Sequence, residues 1–128
     1  MLIYAVSTAP ENRAKRARAW QLFDGGGIAL SVQVLQEFYV QATRPTRPDR
    51  VSREKALTFI QAWRRFPVQE TNLPLLDHAF DLHARHRFSF WDSLILAAAR
   101  AQGCDILLSE DLAHGRIVEG VEVRNPFR

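Results

Sequence analysis

Three carboxylates stand where an α/β chain gathers ligands: Glu37, Asp92 and Asp111. Asp111 follows the apolar run Asp105-Ile-Leu-Leu108 through Ser109 and Glu110, which puts it just past the carboxyl end of an expected buried strand. Asp92 comes three positions after Ser89, where the acid of a capping box belongs, at the start of the apolar helix Leu94–Ala101. Glu37 lies at the edge of the stripe Val34, Leu35, Phe38 and Ala42, one turn beyond a strand end. Ligands of an open parallel sheet collect at strand carboxyl ends. Three acids gathered there repel unless a hard cation neutralises them. Mg²⁺ or Mn²⁺ takes such oxygen ligands and holds phosphate oxygens at its remaining positions. Each acid alone also has a plainer reading: a rim glutamate reaching water, a helix cap, a turn former. Their common location is what points to a metal site.

Other chemistry-bearing residues are less directed. His83 and His86 are three apart on the helix that also carries His78, but with no cysteine or third convergent ligand they read as solvent-facing. His114, beside Gly115, either approaches a phosphate or shapes a turn. Ser109 can hydrogen-bond a ligating carboxylate or a water. It has no placeable His/Asp pair, which rejects a hydrolase triad. Cys104 is the only cysteine, so no intramolecular disulfide forms, and it reads as a small buried side chain. Gly25–Gly27 follow a helix and precede a strand, the reverse of a phosphate loop, and read as a turn.

The elements that position these residues follow from periodicity. Leu2–Val6 is expected as a short helix or the tail of one. A helix follows over Glu11–Phe23, with Ala14, Ala17, Ala19, Trp20 and Phe23 turned inward. Then come a strand at Ile28–Val32 and a helix over Gln33–Thr43. The proline-broken loop Arg44–Arg50 carries Arg44, Arg47 and Arg50, which either hold phosphates or an acidic partner segment or stay solvated. Ser52 caps a helix through Phe66, Val68–Thr71 is a strand, and a helix from Asn72 to about Arg87 buries Leu75, Leu76, Ala79, Phe80 and Leu82. Gly103 stops the helix that Ser89 opens. Leu112–Ile117 turns through Gly115, and Val121–Val123 is the last strand. Alternating strands and helices imply one α/β domain with a mainly parallel sheet.

With 128 residues, 47% of them hydrophobic, the chain has enough apolar surface for a core. A net charge of +3 suits a phosphate-bearing partner without requiring one. The longest apolar run, Leu94–Ala99, is too short to span a bilayer, and the N-terminus lacks a basic leader, so a cytoplasmic location is expected. A receiver-like domain also gathers acids at strand ends, but it needs a late lysine, and Lys15 and Lys55 come too early.

Taken in order, LIYAVS, LSVQVLQEFYV with Glu37, FSFWDSLILAAA with Asp92, LLSEDLAHG with Asp111 and the closing VEVRNPF resemble PIN-domain ribonucleases, most closely the VapC toxins of bacterial toxin–antitoxin modules. The resemblance covers essentially all of the chain, with 43–73 matching only in helical pattern. It implies a PIN-like three-layer sandwich, a mainly parallel central sheet with helices on both faces, over residues 1–128. It also implies Mg²⁺- or Mn²⁺-dependent hydrolysis of RNA phosphodiester bonds. Glu37, Asp92 and Asp111 would be metal ligands, directly or through water, and Ser109 would support them. The implied partners are RNA, a cognate antitoxin and a second copy of the chain. The family pattern opens with a strand and an Asp-x-Asn motif, and Met1 stands where that motif would just have ended. The expectation is an N-terminally shortened domain without the first metal-binding Asp. The competing expectation is a module that binds antitoxin or RNA without cutting.

Overall fold

Helices and short strands are interspersed in the computed structural model, which describes Leu2, residues 7–112 and residues 114–128. The helix expected at Leu2–Val6 lies almost wholly outside the described residues. A 3₁₀ turn at Pro10–Asn12 leads into α1 (Arg13–Asp24), β1 (Leu30–Ser31), α2 (Val32–Ala42) and α3 (Arg53–Trp63). There follow β2 (Val68–Gln69), α4 (Leu73–Arg85), α5 (Phe90–Ala101), β3 (Ile106–Leu108), β4 (Ile117–Val118) and β5 (Val121–Arg124). The order is the one expected up to β3, with shorter strands; β4 is an additional strand.

Cap chemistry decides where three helices begin. The hydroxyl of Ser52 accepts the Lys55 N–H at 3.1 Å, Asn72 Oδ1 accepts that of Leu75 at 3.0 Å, and the Ser89 hydroxyl accepts that of Asp92 at 3.1 Å. At the end of α5, Gly103 adopts φ 68°. Its N–H donates to the Arg100 carbonyl while Cys104 N–H donates to that of Ala99, each at 3.0 Å. This left-handed termination suits glycine because no Cβ opposes it.

The chain divides into two compact units, residues 1–30 with 34–68 and residues 31–33 with 69–128. Trp63 is central to the first. Phe23 stacks on it at 5.6 Å and Phe38 meets it edge-on at 4.7 Å, with Ala19, Leu35, Ala42 and Ala56 buried around them. Of the inward set expected on α1, only Ala19 and Phe23 are buried. Ala14 and Ala17 are exposed, and Trp20 is 38% exposed. Ala19 and Phe23 are one turn apart and share a face, whereas Trp20 is rotated about 100° from Ala19 and touches Phe23 only edge-on.

The loop after α2 is tied down by Asp49. Its carboxylate accepts the Ser7 hydroxyl at 2.5 Å and pairs with Arg47 Nε at 2.7 Å, while Asn12 Nδ2 donates to Ser7 Oγ at 3.0 Å. Arg50 Nη1 donates to the Pro45 carbonyl at 3.2 Å, so Arg47 and Arg50 both serve the loop itself.

In the second unit α4 packs on α5. Ala79, Ser93 and Ala97 are fully buried, and Leu82, Leu96, Val121 and Val123 complete the core. The sheet order is β3-β5-β4; β1 pairs with β2 separately. β3 runs parallel to β5, with Ile106 opposite Glu122 and Leu108 opposite Arg124. β4 is antiparallel to β5, so Ile117 begins a strand where a turn was expected. β3 is an edge strand, and Ile106 is 40% exposed rather than buried. Phe80, expected inward on α4, is 54% exposed and stacks on Phe90 at 5.3 Å.

Asp49 yields a pH prediction. The Ser7 hydrogen bond, reinforced by the Arg47 charge and opposed by burial, holds its carboxyl below the ordinary carboxylate range. A lowered folded value means the stabilisation is complete above the unfolded pKa of about 3.9 and is lost as pH falls through the folded value. Asp49→Asn should therefore flatten the fall in melting temperature below about pH 4. Ser7→Ala should cost about 2 kcal/mol at neutral pH, read by denaturant titration.

Candidate functional site

The direction of α5 determines which side chains share an end of the second unit. Arg100, in its last turn, donates from Nη1 to the Glu119 carbonyl at 2.8 Å, in the turn that precedes β5. The carboxyl end of α5 therefore lies at the amino end of β5, and of β3, which is parallel to it. The helix runs antiparallel to both strands, and its first turn lies toward their carboxyl ends. Asp92 is in that first turn and half-buried. Asp111 lies three residues past β3, at the same end, and is exposed.

Ser109 builds the turn that carries Asp111. Its N–H donates to the Arg124 carbonyl at 2.9 Å, extending the parallel ladder by one residue. Its hydroxyl oxygen accepts the N–H of Asp111 at 3.3 Å and of Leu112 at 3.2 Å. The support expected from Ser109 thus reaches the backbone of Asp111. Its hydroxyl hydrogen is not used in either bond.

Glu37 belongs to the first unit. It is exposed on α2, between buried Leu35 and Phe38. Among the described residues, no three His, Cys, Asp or Glu side chains form a group that could hold a metal ion. The structure brings Asp92 and Asp111 to one end of the second unit and shows no three-ligand cluster among the described residues. In kind the donors suit a hard cation, which one or two carboxylates can hold while water and substrate phosphate fill the other positions.

The histidines of α4 and its following loop go to separate partners. His78 Nε2 meets the Glu119 carboxylate at 3.0 Å, and His83 Nδ1 donates to the Phe88 carbonyl at 2.9 Å. His86 Nδ1 contacts an Arg116 guanidinium nitrogen at 3.2 Å. Cys104 is half-buried; burial, aided by the negative charge of Asp105, pushes its thiol pKa up, which opposes nucleophilic use. His114 lies at the Asp92–Asp111 end, because its Nδ1 accepts the Asn125 N–H at 3.0 Å, just past β5. Its sequence signal was adjacency to Gly115, which allows a phosphate contact but favours a turn role.

Residues 1–119 match the PIN domain family, and the chain belongs to it. The fold is similar to that in the crystal structure of Mycobacterium tuberculosis VapC20, a toxin that cleaves the sarcin–ricin loop. The two agree with a TM-score of 0.60 over 81% of this chain and 80% of that one, at 21% identity. The PIN-like α/β fold expected from the motif order is thus borne out. A search of curated proteins found no match.

Replacing Ser109 by Ala removes the shared acceptor for two turn amides. Hydrogen exchange at Asp111 and Leu112 should quicken, with a stability loss of about 1 kcal/mol, while Ser109→Thr should behave like the natural protein.

Proposed function

We propose that the protein is an endoribonuclease toxin of the VapC type. It would hydrolyse RNA phosphodiester bonds with Mg²⁺ or Mn²⁺ held by Asp92, Asp111 and Glu37, directly or through water. The supporting observation is the placement of Asp92 and Asp111 at the same end of the second unit, in a chain of the PIN-domain family. A bound cation would lower the pKa of a water and stabilise charge on the phosphate oxygens. The protein's own contribution is positional. The Ser89 cap and the buried face of α5 fix where Asp92 starts, and Ser109 fixes the backbone of Asp111. An antitoxin that covers the carboxylates, a homodimer and a cytoplasmic location belong to the same reading. No helix among the described residues is long and apolar enough to cross a membrane.

The alternative is a module that binds RNA or antitoxin without cutting. Cleavage of a labelled RNA with Mg²⁺, with Mn²⁺ and with a chelator separates the two. The ribonuclease reading expects cleavage that the chelator abolishes. Asp92→Asn, Asp111→Asn and Glu37→Gln should each lower it about a hundredfold or more, with little change in melting temperature. Binding without cleavage establishes the alternative, and chelator-resistant cleavage refutes the metal assignment.

A further inference from the structure

We propose that His114 donates a hydrogen bond from Nε2 to a phosphate oxygen of the RNA beside Asp111, an inference that rests on the ribonuclease reading. It starts from one peptide group, the one joining Arg124 to Asn125 at the carboxyl end of β5. Its carbonyl accepts the Ser109 N–H at 2.9 Å, and its N–H donates to His114 Nδ1 at 3.0 Å. The oxygen and nitrogen of a peptide group are rigidly held, so Ser109 N and His114 Nδ1 are at most about 8 Å apart. Ser109 is the residue whose hydroxyl fixes the Asp111 turn. The imidazole and the Asp111 turn are therefore anchored to opposite sides of one planar group.

The same hydrogen bond selects the tautomer. A ring nitrogen that receives an N–H carries no hydrogen, so the hydrogen of the neutral ring is on Nε2. His114 is exposed, so this donor is open to a ligand. The arrangement suits a donor that holds substrate and does not suit a general acid, since giving up the Nε2 hydrogen would leave an imidazolate. Nearby guanidiniums face elsewhere: Arg124 pairs with Glu122, and Arg116 lies over the Phe88 ring at 4.6 Å and contacts His86.

The plain alternative is that His114 only closes the turn by accepting the Asn125 N–H. Two substitutions separate the roles, because an Asn amide reaches the position of Nδ1 and a Gln amide that of Nε2. His114→Asn keeps an acceptor for Asn125 and loses the distal donor; His114→Gln does the reverse. A lost hydrogen bond to a charged group corresponds to about tenfold to a hundredfold in binding. The proposal expects His114→Asn to raise KM for a short RNA by that factor, with kcat and melting temperature near the natural values. His114→Gln should melt lower and keep KM within about threefold. Losses that follow melting temperature, or an unchanged KM in His114→Asn with RNA still cleaved, overturn the proposal and leave the ribonuclease reading standing. If the natural protein binds RNA without cutting it, the same ordering is read from fluorescence anisotropy in chelator. A natural protein that neither binds nor cuts RNA overturns both.

Discussion

The close approach of α4 and α5 is the constraint on which the second unit depends. Ala79 on α4 and Ser93 and Ala97 on α5 have no exposed surface, and the latter two, one turn apart, share a helix face. Small residues at these places leave room for Leu82 and Leu96 in the same core, and extra methylenes there would cost about 1–3 kcal/mol in forced rotamers. Ser93 is tolerated because its hydroxyl donates to the Ser89 carbonyl at 2.9 Å, inside the helix that it helps to bury. Little freedom remains in how α5 lies. The first-turn residue Asp92 inherits its place from the packing of residues that do no chemistry.

The sense of α5 is fixed at the end away from Asp92. Arg100 binds the carbonyl of Glu119, and the Glu119 carboxylate meets His78 on α4, so one turn residue links both helices to the β4–β5 hairpin. Glu119 adopts φ 49°, an uncommon conformation for a residue with a Cβ, and Gly120 follows at 83°. Two successive positive φ values make the tight turn whose twist matches paired strands. Its cost at Glu119 is offset by the hydrogen bonds this residue makes to its surroundings.

Caps, stops and periodicity were legible because their physics is local. Ser52, Asn72, Ser89 and Gly103 each act through backbone groups within four residues, and all four do what their types imply. β4 was not legible, because its turn is Glu-Gly rather than the Asn-Gly or Asp-Gly that usually announces a two-residue hairpin. Exposure was misread at Trp20, Phe80 and Ile106 for a different reason. An apolar residue next to a buried stripe, or on an edge strand, has the same sequence signature as one inside it; only tertiary packing separates them. The carboxylates of the candidate site were readable as residue types at element ends. The Arg124–Asn125 peptide that gathers Ser109 and His114 was not, since its partners are 15 and 11 residues away.

The charge balance carries a related lesson. Arginine supplies nearly all of the base, and the excess of +3 invites a basic surface for phosphates. In the folded chain Arg47, Arg85, Arg100 and Arg124 each face a carboxylate. The exposed ones among these pairs, those of Arg85, Arg100 and Arg124, contribute only about 0–1 kcal/mol to stability. Their larger effect is electrostatic: a guanidinium beside a carboxylate presents a dipole to an approaching polyanion rather than a net charge, and its attraction falls off faster with distance. At the Asp111 end the described groups are short-range ones, the exposed Asp111 carboxylate and the His114 ring that accepts the Asn125 N–H. Groups of fixed orientation select geometry more than charge.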